Sequence, residues 1–227
     1  PHLLICRAGR RASVPLWWVK AAGRRWRVTA CAKEPWTAAY VSSLGPADLL
    51  FNIGACVGSY ALIAASRGAR VVCVEASPVN AARLAENVAA NNLGHLVTVV
   101  LAVCGPTEQP MSVGLGSTTA GAADVRIGSD GVQLPGVTLD GLAETHGYPT
   151  ALLLDVDGGE LDVLRGGTET LARLGSAMLE LSREQRIVKG CDALLIGGGL
   201  RPDSEWTERN GATIEGVFYA EYRRPAA

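Results

Sequence analysis

The sequence predicts an α/β domain built on a mostly parallel β-sheet, and three observations support this fold class. Short apolar segments alternate with helical patterns from residue 48 onwards. These apolar segments are continuous runs, which is typical of parallel strands covered by helices on both faces. The chain has 227 residues, 48% of them hydrophobic, and this is enough for one domain with a full core.

The first half of this domain follows a regular strand–helix order. The predicted strands are residues 48–55, 69–77 and 96–103, and the predicted helices between them are residues 57–69 and 79–92. Gly68 suits the end of the first helix. Pro78 suits the first turn of the second helix, and the Asn91–Asn92 pair ends it.

The second half begins with residues 104–136, which are rich in Gly, Ser, Thr and Pro and predict an irregular excursion with at most one hairpin. The regular pattern then resumes with strands at residues 150–159 and 176–182 and helices at residues 138–147 and 159–175, and residues 192–200 resemble the end of another helix. Residues 204–211 and 213–224 alternate apolar and polar side chains around Asn210–Gly211, a strong hairpin signal. We therefore expect an antiparallel pair at the edge of the sheet.

Residues 1–47 predict an N-terminal extension ahead of a domain spanning residues 48–227, and this extension is a candidate substrate lid. Residues 1–33 hold eight basic residues and no acidic one. Such a segment is either a flexible or helical leader or a surface for an anionic partner. The tryptophans of the extension pack it onto the domain, line a substrate pocket or interleave with nucleic-acid bases; they are Trp17, Trp18, Trp26 and Trp36.

Composition excludes several protein classes. No apolar run reaches the roughly 18 residues of a membrane span, and the first twenty residues lack the continuous apolar core of a signal peptide. The six cysteines stand far apart without a C-x-x-C pair, which favours neither a zinc site nor a disulfide framework. We expect a reducing, cytoplasmic setting.

A glycine turn follows the first predicted strand. Gly54 lets the backbone turn sharply, and Gly58 opens a helix whose N-terminal amides face the carboxyl end of the sheet. Ligands of parallel α/β sheets bind at this end. Cys56 and Ser59 break the G-x-G-x-x-G pattern, which disfavours a dinucleotide, and no Gly-Lys-Ser/Thr follows, which excludes a P-loop.

Glu75 ends the second predicted strand, 23 residues after Asn52. An acid about 20 residues beyond a glycine turn commonly binds the two hydroxyl groups of a ribose. The alternative is an acid that caps the helix beginning near Pro78.

Three further acids end later strands. Asp155 and Asp157 follow a run of leucines, and Glu180 ends the fifth strand. In an extended backbone Asp155 and Asp157 would share a face, where they could bind a divalent cation, orient a hydroxyl group or act as a base. The alternative for Asp157 is a helix N-cap. His146 is a weaker candidate base, because a histidine at a helix C-terminus is favourable in any case.

Together these motifs resemble the FkbM-type S-adenosylmethionine-dependent methyltransferases over about residues 48–182. The matching segments are Asn52–Tyr60, Val74–Asn80, Leu139–Asp140 and Asp155–Gly167. The family patterns usually read D-V-G-A-N-x-G, E-P and K-I-D-V-E-G. This chain departs from them at Asn52 for Asp, Cys56 for Asn, Ala76 for Pro, Leu153 for Lys and Asp157 for Glu.

The resemblance implies a class I, Rossmann-like methyltransferase fold with a seven-stranded sheet and S-adenosylmethionine as cofactor. The implied cofactor-binding residues are Asn52, Gly54, Ala55, Gly58, Tyr60, Glu75, Ala76, Ala102, Val103 and Asp155. The implied catalytic residues are Asp155, Asp157 and Glu180. Adenine would lie near Ala102 and Val103, and Tyr60 and residues 114–121 could close over the site.

The implied reaction is methyl transfer to a hydroxyl oxygen of a small molecule or sugar, with a divalent cation left open. Nucleic-acid methylation is disfavoured, because residues 155–158 lack the Asp/Asn-Pro-Pro-aromatic motif of amino-methylating enzymes. A degenerate cofactor-binding domain without catalysis is the third hypothesis, since Asn52 and Leu153 replace charged residues. The sequence does not indicate an oligomeric state.

Overall fold

The fold is taken from a computed structural model of the chain. The residues that the structure describes are 5–11, 14–19, 34–115, 121, 125–128, 131–182, 190–203, 213–214 and 217–225.

Strands and helices alternate through most of these residues. The strands are β1 (Ile5–Arg11), β2 (Val14–Val19), β3 (Leu49–Ile53), β4 (Arg70–Glu75), β5 (Val97–Leu101), β6 (Val103–Cys104), β7 (Met111–Leu115), β8 (Val125–Ile127), β9 (Val132–Leu134), β10 (Gly136–Val137), β11 (Ala151–Leu154), β12 (Ser176–Ser182), β13 (Arg201–Pro202), β14 (Thr213–Ile214) and β15 (Val217–Arg223). The helices are α1 (Pro35–Ser43), α2 (Ser59–Ser66), α3 (Pro78–Ala90), α4 (Leu139–His146), α5 (Glu160–Arg165), α6 (Thr168–Arg173) and α7 (Cys191–Gly197).

The main sheet has the strand order β13-β15-β12-β11-β3-β4-β5, and β14 also pairs with β15. The strands from β12 to β5 are parallel, whereas β15 runs antiparallel to β12 and to β13. This confirms the predicted mostly parallel seven-stranded sheet with an antiparallel C-terminal edge. The predicted Asn210–Gly211 turn lies outside the described residues. The strand order reverses between β3 and β11, where ligands bind in such sheets.

Each face of the sheet is covered by its own helices. One core contains residues of α1, α2 and α3 against the side of the sheet that carries Leu50, Cys73 and Leu153. The other core contains residues of α4 to α7 against the side that carries Phe51 and Leu154. Because side chains alternate along a strand, β3, β4, β11 and β12 each contribute to both cores.

Two parts of the fold differ from the sequence prediction. Residues 104–136 contain an antiparallel three-stranded sheet in the order β8-β7-β9, and β10 pairs with β6. The single helix predicted over residues 159–175 is two short helices, α5 and α6, separated at Gly166–Gly167. The Asp140 carboxylate starts α6 by accepting hydrogen bonds from the amides of Glu169 and Thr170.

Described parts of the N-terminal segment are ordered into a β-hairpin and a helix. Strands β1 and β2 pair antiparallel, so these residues are not the helical leader that was one alternative. Helix α1 packs in the same core as α2, and the Tyr40 hydroxyl donates to the Leu152 carbonyl oxygen. Trp36 packs against this core as well. The lid role predicted for residues 1–47 stays a prediction.

A search of the described residues finds no helix that is both long enough and apolar enough to cross a membrane.

Candidate active site

Polar side chains gather where the central parallel strands end. Asn52 lies within β3, Glu75 ends β4, Asp155 follows β11 and Glu180 lies near the end of β12. Leu154 is in register with Ile53 and Leu179, so these strand ends lie side by side. The alternation along each strand places the four polar residues on the sheet face that α1 and α2 cover.

The glycine turn after β3 contains three left-handed residues, Gly54, Cys56 and Gly58. Gly54 has φ +81°, and a Cβ at this position would overlap the backbone carbonyl oxygen of Asp155. Cys56 has φ +51°, an uncommon conformation for a residue with a side chain. Its amide donates to the Glu75 carboxylate at 2.7 Å. A carboxylate from the next strand therefore holds the turn in shape.

Glu75 is 5% exposed and hydrogen-bonded on both carboxylate oxygens. It accepts from the Cys56 amide and, at 2.8 Å, from the Ser77 amide, and it also bonds the Asn80 side chain. Burial raises the pKa of Glu75, and these hydrogen bonds partly oppose the increase. Helix α3 is capped by the Ser77 hydroxyl, so Glu75 is not the helix cap proposed as an alternative.

Asp155 is partly buried in a strongly acidic environment. Burial first, then the charges of Glu180, Asp157, Glu34 and Glu160, raise the pKa of Asp155 well above its usual range. A raised pKa moves a carboxyl group towards the neutral pH at which a general base works best. The surroundings of Asp155 therefore favour its protonated form more than water does.

The sequence suggested that Asp155 and Asp157 share a face of an extended backbone, and the structure contradicts this. Strand β11 ends at Leu154, and Asp157 adopts a left-handed conformation with φ +54°. It is not the N-cap of α5 either, because that position is Gly159. The turn is held by Glu160, whose Oε1 accepts from the amides of Val156 and Gly158.

The polar residues at the strand ends and the turns after β3 and β11 line one cavity of about 890 Å³. It includes nearly all the site residues predicted from the sequence, namely Asn52, Gly54, Ala55, Tyr60, Glu75, Ala76, Ala102, Val103, Asp155, Asp157 and Glu180. Gly58 is absent from its wall; Gly58 has φ +90° and faces Leu84, so a side chain there would press on α3. His146 is not part of the lining either. The predicted loop 114–121 contributes Gly121, and residues 116–120 lie outside the described part.

Several lining residues had no signal in the sequence analysis. Glu34 and Thr37 belong to the segment interpreted as an extension, and Met111 and Arg126 belong to the segment interpreted as irregular. Asn80 connects these parts: its Oδ1 accepts from the Gly121 amide at 2.6 Å, while its side chain also bonds Glu75. An acid directly before Pro35 was the one local sign of a helix start in this part of the extension.

A metal site is not evident in the described residues. They contain no group of three or more His, Cys, Asp and Glu side chains placed to bind a metal ion. The divalent cation that the sequence left open has no support from these residues.

The sequence matches the profile of the methyltransferase FkbM domain over residues 52–188. No curated protein matches the chain.

Solved structures share its fold at low sequence identity. Precorrin-6y C5,15-methyltransferase from Geobacter metallireducens has a TM-score of 0.57 at 14% identity, with 94% of this chain and 100% of that chain covered. The [4+2]-cyclase SpnF has a TM-score of 0.51 at 14% identity, covering 95% and 88%. A putative rRNA-methylase from Clostridium thermocellum has a TM-score of 0.51 at 10% identity, covering 82% and 92%.

The strand order and the antiparallel C-terminal edge are those of the class I, Rossmann-like methyltransferases. The family match covers more than half of the chain and includes the glycine turn, Glu75 and the acids after β11. This chain therefore belongs to the FkbM family of S-adenosylmethionine-dependent methyltransferases.

Proposed function

We propose that this protein transfers a methyl group from S-adenosylmethionine to a hydroxyl oxygen of a small molecule or sugar. The observation that carries the proposal is the meeting of Asp155 and Glu180 with Asn52 and Glu75 in one cavity at the carboxyl edge of the sheet. Asn52 and Glu75 suit a nucleoside, and Asp155 and Glu180 suit proton transfer beside it.

The lining fits S-adenosylmethionine. Glu75 is the carboxylate for the ribose hydroxyl groups, and its oxygens can accept further bonds beyond the two amides. The small apolar residues Ala76, Ala102 and Val103 suit the adenine ring. The cavity volume of about 890 Å³ lies within the roughly 300–1,000 Å³ of ligand pockets. When bound, this cofactor supplies an electrophilic methyl group on a positively charged sulfur.

Asp155 is the proposed catalytic residue. A hydroxyl group is a weak nucleophile, so transfer to it benefits from a carboxylate that orients the hydroxyl and accepts its proton. Glu180 lies on the neighbouring strand and raises the pKa of Asp155, which improves Asp155 as a proton acceptor near neutral pH. Asp157, on the same wall, is proposed to orient the acceptor.

The charge of the cavity argues against a nucleic-acid substrate. Its described lining includes six acidic residues, Glu34, Glu75, Asp155, Asp157, Asp162 and Glu180, and one basic residue, Arg126. Such a wall repels a phosphate backbone, which proteins usually neutralise with Lys and Arg.

The test is a transfer assay with methyl-labelled S-adenosylmethionine and pools of sugars, small hydroxyl compounds and RNA, followed by mass and NMR analysis of the product. We expect an O-methylated small molecule, and Asp155→Asn should abolish most of the transfer. Methylation at nitrogen or carbon, or of RNA, contradicts the proposal. Tight cofactor binding without transfer to any pool indicates the non-catalytic alternative.

A further inference from the structure

Asn80 is a buried polar side chain that joins two walls of the cavity. It lies in the first turn of α3, is 2% exposed and lines the cavity. Its Oδ1 accepts a hydrogen bond from the Gly121 amide at 2.6 Å, and its side chain also bonds the Glu75 carboxylate. Gly121 lies between β7 and β8 in the chain and Glu75 ends β4, so one side chain connects the small sheet to the main sheet.

The two bonds determine which way the Asn80 amide group points. Because the Gly121 N–H is a donor, the Asn80 oxygen faces Gly121, and the Asn80 NH₂ group is the one that donates to Glu75. An aspartate at this position would accept from Gly121 but repel Glu75, and an alanine would make neither bond. The position therefore suits an amide side chain, which offers an acceptor and a donor together.

The cap of α3 fixes the place of Asn80. The Ser77 hydroxyl accepts from the backbone amide of Asn80, and the backbone amide of Ser77 donates to Glu75 at 2.8 Å. Side chains of a helix tilt towards its N-terminus, and α3 begins just after β4 ends, at the carboxyl edge of the sheet. The Asn80 side chain is thus held at the same edge as the glycine turn.

The small sheet also packs against the residues proposed to suit the adenine ring. Val103 forms a core with Val113 of β7 and Leu134 of β9, and Ala76 packs against this core. Ala76 and Val103 both line the cavity. The position of the small sheet therefore sets part of the wall beside Glu75, and the bond between Asn80 and Gly121 is a polar contact between these two parts.

We propose that Asn80 is a positioning residue for the cofactor, which holds the Glu75 carboxylate in place for the ribose and ties Gly121 to the same carboxylate. Cofactor binding at Glu75 and the placement of Gly121 then depend on each other, since coupling between two parts of a protein acts in both directions. The inference rests on the ribose role of Glu75 in the proposed function and is independent of the methyl acceptor. It gives the small sheet a part in cofactor binding.

The first measurement is calorimetric binding of S-adenosylhomocysteine at pH 8 by wild type, Asn80→Ala and Asn80→Asp. We expect Asn80→Ala to bind at least about tenfold more weakly, because it loses a hydrogen bond to a charged group. Asn80→Asp should bind more weakly still, because its carboxylate repels Glu75. Asn80→Ser replaces Asn80→Ala in the comparison if the alanine variant does not fold.

The matched control is Asn91→Ala. Asn91 is the C-cap of the same helix and its Nδ2 donates to the Asn87 carbonyl oxygen at 2.7 Å, but Asn91 is outside the described lining of the cavity. Its variant should lose stability and keep the wild-type affinity for S-adenosylhomocysteine. Equal affinities of Asn80→Ala and wild type overturn the proposal.

The second measurement separates coupling from a merely structural role. Hydrogen exchange is followed by mass spectrometry in the peptide that contains Gly121 and β8, with and without saturating S-adenosylhomocysteine. We expect the ligand to slow exchange in wild type, and this slowing should be lost in Asn80→Ala at the same occupancy. A ligand effect of equal size in both proteins overturns the proposal, because Gly121 is then held without Asn80.

Glu75→Gln distinguishes failure of this inference from failure of the proposed function. If Glu75→Gln weakens S-adenosylhomocysteine binding and Asn80→Ala does not, only the inference about Asn80 is wrong. If Glu75→Gln leaves the affinity unchanged, the ribose role of Glu75 and the inference are wrong together.

Discussion

Asp155→Asn should make the protein more stable and much less active. The neutral amide has nearly the same shape as the carboxylate but does not repel the surrounding acids. Since burial and four acidic neighbours act against the charge of Asp155, the wild-type protein loses stability whenever this group is ionised. Turnover should fall by roughly 10²–10⁴, the usual contribution of a positioned acid–base group.

The sign of the pH dependence follows from the raised pKa. The folded protein binds the Asp155 proton more tightly than the unfolded chain, so stability decreases as pH rises from the unfolded pKa to the folded one. We expect the variant to be more stable than wild type at pH 8 and the difference to shrink as pH falls, because Asp155 becomes protonated in both states of the wild-type protein.

The measurement is thermal unfolding of both proteins between pH 4 and pH 8, together with turnover and calorimetric cofactor affinity at pH 8. For a chain of this length, 1 kcal/mol shifts the melting temperature by about 2–4 °C. Asp140→Asn is the contrasting control, because Asp140 accepts two amide hydrogen bonds at the start of α6 and its variant should lose stability. A stable Asp155→Asn protein with full turnover would refute the catalytic role, and a destabilised one would refute the electrostatic argument.

Three further substitutions test residues that hold the site or the surrounding fold in shape. Glu75→Gln keeps one acceptor oxygen for two amide donors, so we expect a loss of about 1–3 kcal/mol in the free energy of unfolding by urea. Calorimetry should also show weaker cofactor binding. Unchanged values for both would be evidence against the role of Glu75 in the site. Gly54→Ala should abolish cofactor binding and lower the melting temperature, because its Cβ would overlap the Asp155 carbonyl, whereas Gly45→Ala, with open space around the glycine, should be tolerated. Arg224→Ala should cost about 2–4 kcal/mol in urea unfolding, since Arg224 donates to three carbonyl oxygens near helix ends, but turnover per folded molecule should not change.

The sheet could be predicted from the sequence because its signals are local. The apolar runs of β3, β4 and β11 are flanked by Gly, Pro or acidic residues, and Pro78 starts α3 as expected. The alternation in residues 213–224 predicted an antiparallel edge, which β15 forms beside β12. These patterns depend on residues close together in the chain, so no tertiary information was needed.

The small sheet of residues 104–136 could not be predicted in the same way. Strands β8 and β9 have three residues each, and exposed Ile127 and Val132 interrupt the usual inward–outward alternation. Pairing with β7 defines them, and pairing partners are not visible in composition. The division between α5 and α6 also depends on a distant residue, Asp140, as well as on two adjacent glycines.

The site was predictable to the extent that it lies at strand ends. In a parallel sheet the carboxyl ends of neighbouring strands meet at one edge, so Asp155 and Glu180 had to lie near the turn after β3. Glu34 and Thr37 reach the same cavity only because α1 packs beside α2, a contact between segments that no local pattern specifies. The sequence therefore predicted the strand-end part of the cavity better than the part that α1 contributes.

The acids at the carboxyl edge of the sheet connect the stability of this protein with its proposed chemistry. Burial raises the pKa values of Glu75, Asp155 and Asp157, which means that the folded chain holds these negative charges at a cost. Glu75 is compensated by backbone amides, so its cost serves the shape of the glycine turn. The hydrogen bonds described here give Asp155 no comparable donor for its carboxylate, and its strongest charged neighbours are acids. A positively charged ligand group beside Asp155 would lower the pKa of this carboxyl group, so binding of such a group and ionisation of Asp155 should favour each other.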